Sequence, residues 1–71
     1  HFLLERFAPT STTTHAYASF ATLTLIQGQA SVQGKTESIT AQKGDTLFIP
    51  ANCPITVSPQ NNAEYLMASV P

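Results

Sequence analysis

Hydrophobic and polar residues alternate with a period of two along most of this chain. In the segment 21–26, residues 21, 23 and 25 are Ala, Leu and Leu, whereas residues 22 and 24 are both Thr. This alternation is typical of a strand with one face buried and the other in water. The same pattern predicts further strands at Phe2–Phe7, Ala30–Val32, Glu37–Thr40, Thr46–Ile49, Ile55–Ser58 and Glu64–Val70. Because no long stretch keeps the spacing of an amphipathic helix, the sequence predicts an all-β protein.

Turn-forming residues separate the predicted strands at intervals of about eight to ten residues, which favours a sandwich or barrel. These turns are Gly28, Gly34–Lys35, Lys43–Asp45 and Pro59–Asn62. We expect Gly34 to adopt a positive φ in a tight hairpin between the strands that contain Val32 and Ile39. Because proline cannot donate a hydrogen bond to a neighbouring strand, Pro50–Pro54 should lie at a strand end or a bulge. The hydroxyl-rich segment Thr10–Thr14 is predicted to be a loop.

Length and charge narrow the class of protein. With 71 residues, of which 42% are hydrophobic, the chain suffices for one small domain over residues 1–71. A net charge of −1 provides no basic surface for nucleic acid and no cationic face for a membrane. The single Cys53 cannot form an internal disulfide, so we expect the cytoplasm. No apolar run approaches the roughly 20 residues that span a bilayer, so we expect a soluble protein. Because the chain opens at His1 rather than Met, we interpret it as a fragment of a longer one.

Few side chains suit catalysis. The carboxylates are predicted to be solvated charges at strand edges or turns, and they are Glu5, Glu37, Asp45 and Glu64. Asp45 follows Gly44 and is placed to accept backbone N–H groups within its turn. Cys53 has no base near it in sequence, so we expect a buried or half-buried thiol rather than a nucleophile. We interpret His15 most simply as a surface residue, with a role as ligand or proton shuttle as the alternative.

Two segments resemble the motifs of the cupins, which are small jelly-roll barrels. Gly44–Asn52 resembles the second cupin motif, G-x5-P-x-G-x2-H-x3-N, and Gly28 matches the glycine that closes the first, G-x5-H-x-H-x3-E-x6-G. The four positions that carry metal ligands in cupins then fall on His15, Tyr17, Ala21 and Ile55. The cupin resemblance implies a barrel of about seven or eight short antiparallel strands. Because His15 is the one retained ligand position, it also implies that this barrel binds no metal.

A narrower resemblance covers nearly the whole chain. Leu25–Gly28 and Phe48–Asn52, followed by the hydrophobic strand Tyr65–Pro71, are similar to the C-terminal cupin domain of class I mannose-6-phosphate isomerases, especially the short bacterial form. That family comprises zinc enzymes that interconvert mannose 6-phosphate and fructose 6-phosphate, with their zinc ligands and catalytic groups in an upstream catalytic domain. The resemblance therefore implies that this chain has no catalytic or cofactor-binding residue of its own and contacts that upstream domain.

Two functions agree with these features. In the first, the chain is an accessory barrel that stabilises the isomerase and is inactive alone. Its interior is then filled by its own side chains, namely Phe20, Leu23, Leu25, Leu47, Ile49 and Val57. In the second, a stand-alone degenerate cupin binds a small sugar or metabolite in its barrel mouth through His15, Tyr17 and Asn52. A third, a metal enzyme centred on His15, lacks the other ligands.

The accessory function also predicts features of the surface. Docking against a larger domain requires an exposed apolar patch on one face of the barrel. A sheet edge left bare by removal of that domain would allow two copies of the chain to pair as a dimer.

Overall fold

The computed structural model describes residues 3–69, which form six strands and no helix. The strands are β1 (Leu3–Phe7), β2 (Thr13–His15), β3 (Ala21–Gln33), β4 (Ser38–Gln42), β5 (Thr46–Ile49) and β6 (Ile55–Ser69). Every strand pair is antiparallel, which confirms the predicted all-β class. Within these residues, nothing forms a helix long and apolar enough to cross a membrane. Phe2 and Val70, the ends of two predicted strands, lie outside the described residues.

The sheet is built around β3 and β6, which pair with each other along most of their 13 and 15 residues. β1 and β2 pair with the other edge of β6, while β4 and β5 pair with the other edge of β3. The first half-sheet therefore consists of β1, residues 64–69, residues 21–25 and β5. The second half-sheet consists of β2, residues 55–60, residues 29–33 and β4. Because both contribute to one buried cluster, the two half-sheets face each other across a common core.

Gly28 marks the bend between the two half-sheets. Its φ is +73°, and a Cβ atom built there would lie 2.5 Å from the carbonyl oxygen of Asn61 and 2.9 Å from the Cα of Ala63. Asn61 and Asn62 also have left-handed φ values, of 51° and 59°. The pairing of β3 with β6 shifts register twice here, between Leu25 and Gln27 and again between Gln27 and Gln29. Glycine is needed here because the two backbones approach too closely for any side chain.

This bend, together with the unpredicted strand β2, explains why the strands number six in residues 3–69 rather than seven or eight. The predicted turns at Gly28 and Pro59–Asn62 are bulges inside β3 and β6. The predicted strands on either side are therefore halves of the same strand. In β3 the buried residues are odd-numbered before the bulge and even-numbered after it, since one extra residue turns the opposite face inward.

The core combines inward-facing residues from both half-sheets. Its largest fully buried side chains are Tyr65, Leu23, Leu25, Met67 and Val57. Ile49 is buried and Leu47 is partly buried against this cluster, as predicted. The prediction that Phe20 fills the interior is wrong, because its side chain is 47% exposed and stacks on the still more exposed ring of Phe48. Phe20 precedes β3, so the strand alternation does not determine its direction.

The loops follow their predicted chemistry with two exceptions. Asp45 accepts the backbone N–H of Gln42 at 2.8 Å, and Pro50 and Pro54 lie just after β5 and just before β6, as expected. Gly34 begins a loop over residues 34–37 and lacks the predicted positive φ, because this longer loop needs no left-handed residue at its first position. The predicted loop Thr10–Thr14 is wrong at its end, where β2 begins at Thr13 and pairs with β6.

Candidate functional site

The three predicted pocket residues lie near one another but meet in different ways. His15 ends β2, and its ring lies parallel to that of Tyr17 with 6.3 Å between the ring centroids. The backbone N–H of Asn52 donates to the carbonyl oxygen of Tyr17 at 2.9 Å. Asn52 is exposed and has a φ of 58°. The structure therefore brings His15 and Tyr17 together through their rings and joins Asn52 to them through the backbone.

His15 is buried, and the prediction of a surface histidine is wrong. Its side chain is 8% exposed, because pairing of β2 with β6 places His15 opposite the inward-facing Ile55. The Nε2 atom of His15 lies 2.7 Å from the hydroxyl oxygen of Tyr65, and the two groups share a buried hydrogen bond. A polar ring costs stability in an apolar interior unless it is hydrogen-bonded, so Tyr65 is what makes this burial of His15 tolerable.

Aromatic rings surround this hydrogen bond. Phe7 meets the ring of His15 edge to face at a centroid distance of 4.7 Å and stacks on Tyr65 at 5.4 Å. These rings come from β1, β2 and β6 and fill the interior where the three strands meet. Reasoning from the sequence missed Phe7 and Tyr65 as partners of His15. The available signal was the alternation around Tyr65, which places it on the buried face with Ala63 and Met67.

Burial favours the uncharged forms of both partners. Desolvation lowers the pKa of His15 below its ordinary value of 6.5, and the negative charge of Glu5 opposes this shift. Desolvation also raises the pKa of Tyr65 to about 12, with a further contribution from Tyr17. The pKa of Tyr17 is raised by burial and by Glu5. The arrangement therefore favours a neutral hydrogen-bonded pair over one that exchanges protons with a substrate.

The donors at the cupin ligand positions do not fit a metal ion. The Nε2 atom of His15 is engaged by Tyr65, and the positions of two other ligands hold Ala21 and Ile55, which are buried and offer no side-chain donor. Within residues 3–69, no three His, Cys, Asp or Glu side chains are grouped so that they could hold an ion. Zinc or iron would need three or four such ligands.

The remaining chemically active side chains lie apart from this cluster. Cys53 is exposed, so the prediction of a buried or half-buried thiol is wrong, because it lies in the loop between Pro50 and Pro54. Glu5, Glu37 and Asp45 are exposed, as predicted. Glu64 is not simply solvated, since its half-buried carboxylate forms an ion pair with Arg6 on the neighbouring strand.

An apolar cleft of about 330 Å³ opens between β4 and β5. Its lining includes Val32, Ile39, Leu47, Phe48, Ile55 and the exposed Cys53. His15, Tyr17 and Asn52 do not line it. Aromatic rings thus fill the barrel interior next to β2, whereas the interior is open to solvent next to β4.

Comparison with a protein-family model decides the family. The model described as "Mannose-6-phosphate isomerase, cupin domain" matches residues 5–62 of this chain. The chain belongs to that family. The match confirms the resemblance seen in the sequence, and the strand arrangement agrees with the small cupin jelly roll.

Solved structures show the same fold for this cupin domain. A cupin-2 domain containing protein from Shewanella frigidimarina superposes with a TM-score of 0.77 at 15% identity, over 99% of this chain and 69% of its own. A protein of unknown function from Rhizobium leguminosarum gives 0.77 at 24% identity, over 99% and 68%. A conserved protein of unknown function from Streptococcus pyogenes gives 0.75 at 18%, over 99% and 63%. No curated protein matches the sequence.

Proposed function

We propose that this chain is a non-catalytic, structural cupin domain of a zinc-dependent mannose-6-phosphate isomerase, the enzyme that converts mannose 6-phosphate to fructose 6-phosphate. The observation that carries the proposal is the buried hydrogen bond between His15 and Tyr65. It occupies the one histidine retained from the cupin metal site and uses it for packing. Zinc and the catalytic groups then belong to an upstream catalytic domain of the same protein.

The outer surfaces of the two half-sheets support docking against such a domain. On the first half-sheet, Leu4 and Phe48 lie in one outward-facing row across the strands and are 57% and 65% exposed. Phe20 extends this patch by stacking on Phe48. The outward-facing rows of the second half-sheet hold Ser, Thr and Gln instead, at positions such as Ser31 and Thr40. Exposed hydrophobic side chains on one outer surface and not on the other favour a protein partner on the first half-sheet.

A cytoplasmic location and a dimer through an exposed sheet edge stay predictions. The strand order in the sheet ends at β1 and at β4, which are two of the edges on which such a dimer would form. The alternative function, a free-standing cupin that binds a sugar through His15, Tyr17 and Asn52, is less well supported because the open cleft lies elsewhere.

The proposal is tested with the longest natural protein that contains this sequence and with the 71-residue chain alone. We expect the long protein to isomerise mannose 6-phosphate and the short chain to be inactive. In the long protein, His15→Phe should lower the melting temperature while kcat/KM per folded enzyme stays unchanged. Isomerase activity of the short chain, or loss of kcat in a folded His15→Phe enzyme, would refute the structural role. Sugar titration of the short chain tests the alternative.

A further inference from the structure

The cleft beside β4 exists because no strand lies between β4 and β5 to cover their inward-facing side chains. Ile39 on β4 points inward with its cross-strand partner Val32, which is buried. Leu47 on β5 points inward with its partner Leu23. β4 and β5 both pair with β3, one in each half-sheet, and are not paired with each other in the described part of the chain. The cleft is therefore an opening into the common core between the two half-sheets.

The buried part of the cleft lining is apolar. Ile49 and Ile55, which are 4% and 7% exposed, form part of the lining together with Pro50 and Pro54. The side chain of Ile39 is 44% exposed although it faces inward, because nothing covers it across the opening. A volume of about 330 Å³ with such walls suits a molecule the size of a single substituted ring.

The rim adds both a hydrogen-bond donor and an acceptor. The loop over residues 34–37 places Lys35, Thr36 and Glu37 at the cleft, and all three are exposed. The charges of Lys35 and Glu37 cancel, so the rim does not select an anion or a cation. A hydroxyl group can accept from the ammonium group and donate to the carboxylate, which makes a neutral hydroxyl the complementary head group.

We propose that this cleft binds a small uncharged molecule with one apolar ring and one hydroxyl group, of the class of the monocyclic phenols. The ring lies between Ile39 and Leu47, and the hydroxyl reaches Lys35 and Glu37 at the rim. A sugar phosphate fits these walls poorly, because its many hydroxyls would lose water against apolar side chains. The cleft shares Ile55 with the cupin ligand positions, but His15, Tyr17 and Ala21 do not line it.

The test uses the 71-residue chain with 4-ethylphenol as the probe and methyl NMR as the readout. We expect saturable shifts at the methyl groups of Ile39, Leu47 and Ile55, with a dissociation constant on the order of 1 mM. The ring signals of His15 and Tyr17 should not move. Mannose 6-phosphate at the same concentrations should leave the cleft methyls unchanged. Shifts that do not saturate, or that fall on His15 instead, would overturn the proposal.

Cys53 offers a matched pair of variants because it lines the cleft and is exposed. Cys53→Trp should fill the opening and weaken binding of 4-ethylphenol about tenfold or more, whereas Cys53→Ser should leave it unchanged. Ile39→Asn should also weaken binding of 4-ethylphenol, because it places a polar side chain of similar size on the wall of the cleft. Equal affinity in all four proteins would refute the site. Shifts of the same methyls with protein concentration alone would show that a second copy occupies the cleft, which also refutes it.

Discussion

Replacing Gly28 with alanine should destabilise the barrel more than any other glycine substitution in the chain. The added Cβ atom would lie 2.5 Å from the carbonyl oxygen of Asn61 and 2.9 Å from two backbone atoms of Ala63. None of these atoms belongs to a flexible side chain, so β6 itself must move. Gly44 is the matched control, since its φ is also positive, at +97°, and a Cβ atom there meets nothing within 4 Å.

The magnitude follows from two separate costs. A left-handed conformation costs a non-glycine residue about 1–2 kcal/mol, and both variants incur it. Forcing the backbones of β3 and β6 apart adds about 1–3 kcal/mol, as overpacking does in other cores, and only Gly28→Ala incurs it. The total of about 2–5 kcal/mol compares with a stability of about 4–10 kcal/mol for a domain of this length. Gly28→Ala should therefore remove about half of the free energy of unfolding.

Urea unfolding followed by far-UV circular dichroism measures this difference. With an m-value of about 1 kcal/mol/M, the midpoint of Gly28→Ala should lie about 1–3 M below that of Gly44→Ala. Gly34→Ala extends the series, because Gly34 lacks a positive φ and its added Cβ atom would have its nearest neighbour at 3.9 Å. It should leave stability unchanged or raise it by about 0.4–1 kcal/mol. Equal midpoints for Gly28→Ala and Gly44→Ala would refute the close approach at the bend.

Three further changes test the aromatic cluster and one turn. Tyr65→Phe leaves the buried His15 ring without its partner and should cost about 1–3 kcal/mol in thermal unfolding, whereas Tyr17→Phe should cost less. Burial lowers the pKa of His15 in the folded state, so the unfolded chain binds its proton first as pH falls. The free energy of unfolding should therefore decrease as pH falls below 6.5 and level off below the pKa of folded His15. The His15→Phe variant, which keeps His1, should lose this pH dependence. If the same slope persists in that variant, His15 is not its source. Asp45→Ala removes the acceptor of a backbone N–H and should cost about 0.5–1.5 kcal/mol in urea unfolding, while an unchanged midpoint would mean that the turn does not need it.

The positions of the strands could be predicted because alternation records which face is buried. Thr46–Ile49 was predicted to the residue, and Glu37–Thr40 within two residues of β4. The bend at Gly28 could not be predicted in this way. A glycine at a turn and a glycine at a bulge look alike in sequence, and the difference depends on the pairing of residues far apart, here residues 25–29 with residues 60–65.

The environment of His15 depended on similar long-range pairing. The flanking threonines suggest a surface loop, and the partner Tyr65 lies fifty residues away in sequence. Only the register of β2 against β6 turns His15 inward. The cupin motif spacing did place His15 and Ile55 at related positions, and the structure pairs them across two strands. The cupin motif thus indicated that His15 and Ile55 lie close together, which the local alternation of hydrophobic and polar residues could not.

NMR of the imidazole ring of His15 distinguishes a role in packing from a role in metal binding. A long-range ¹H–¹⁵N spectrum of the 71-residue chain at neutral pH should show a neutral ring whose Nε2 atom is hydrogen-bonded to Tyr65. Adding one equivalent of zinc should leave the His15 signals unchanged. Stoichiometric movement of these signals to those of a zinc-bound imidazole, with loss of the Tyr65 hydrogen bond, would contradict a packing role for His15.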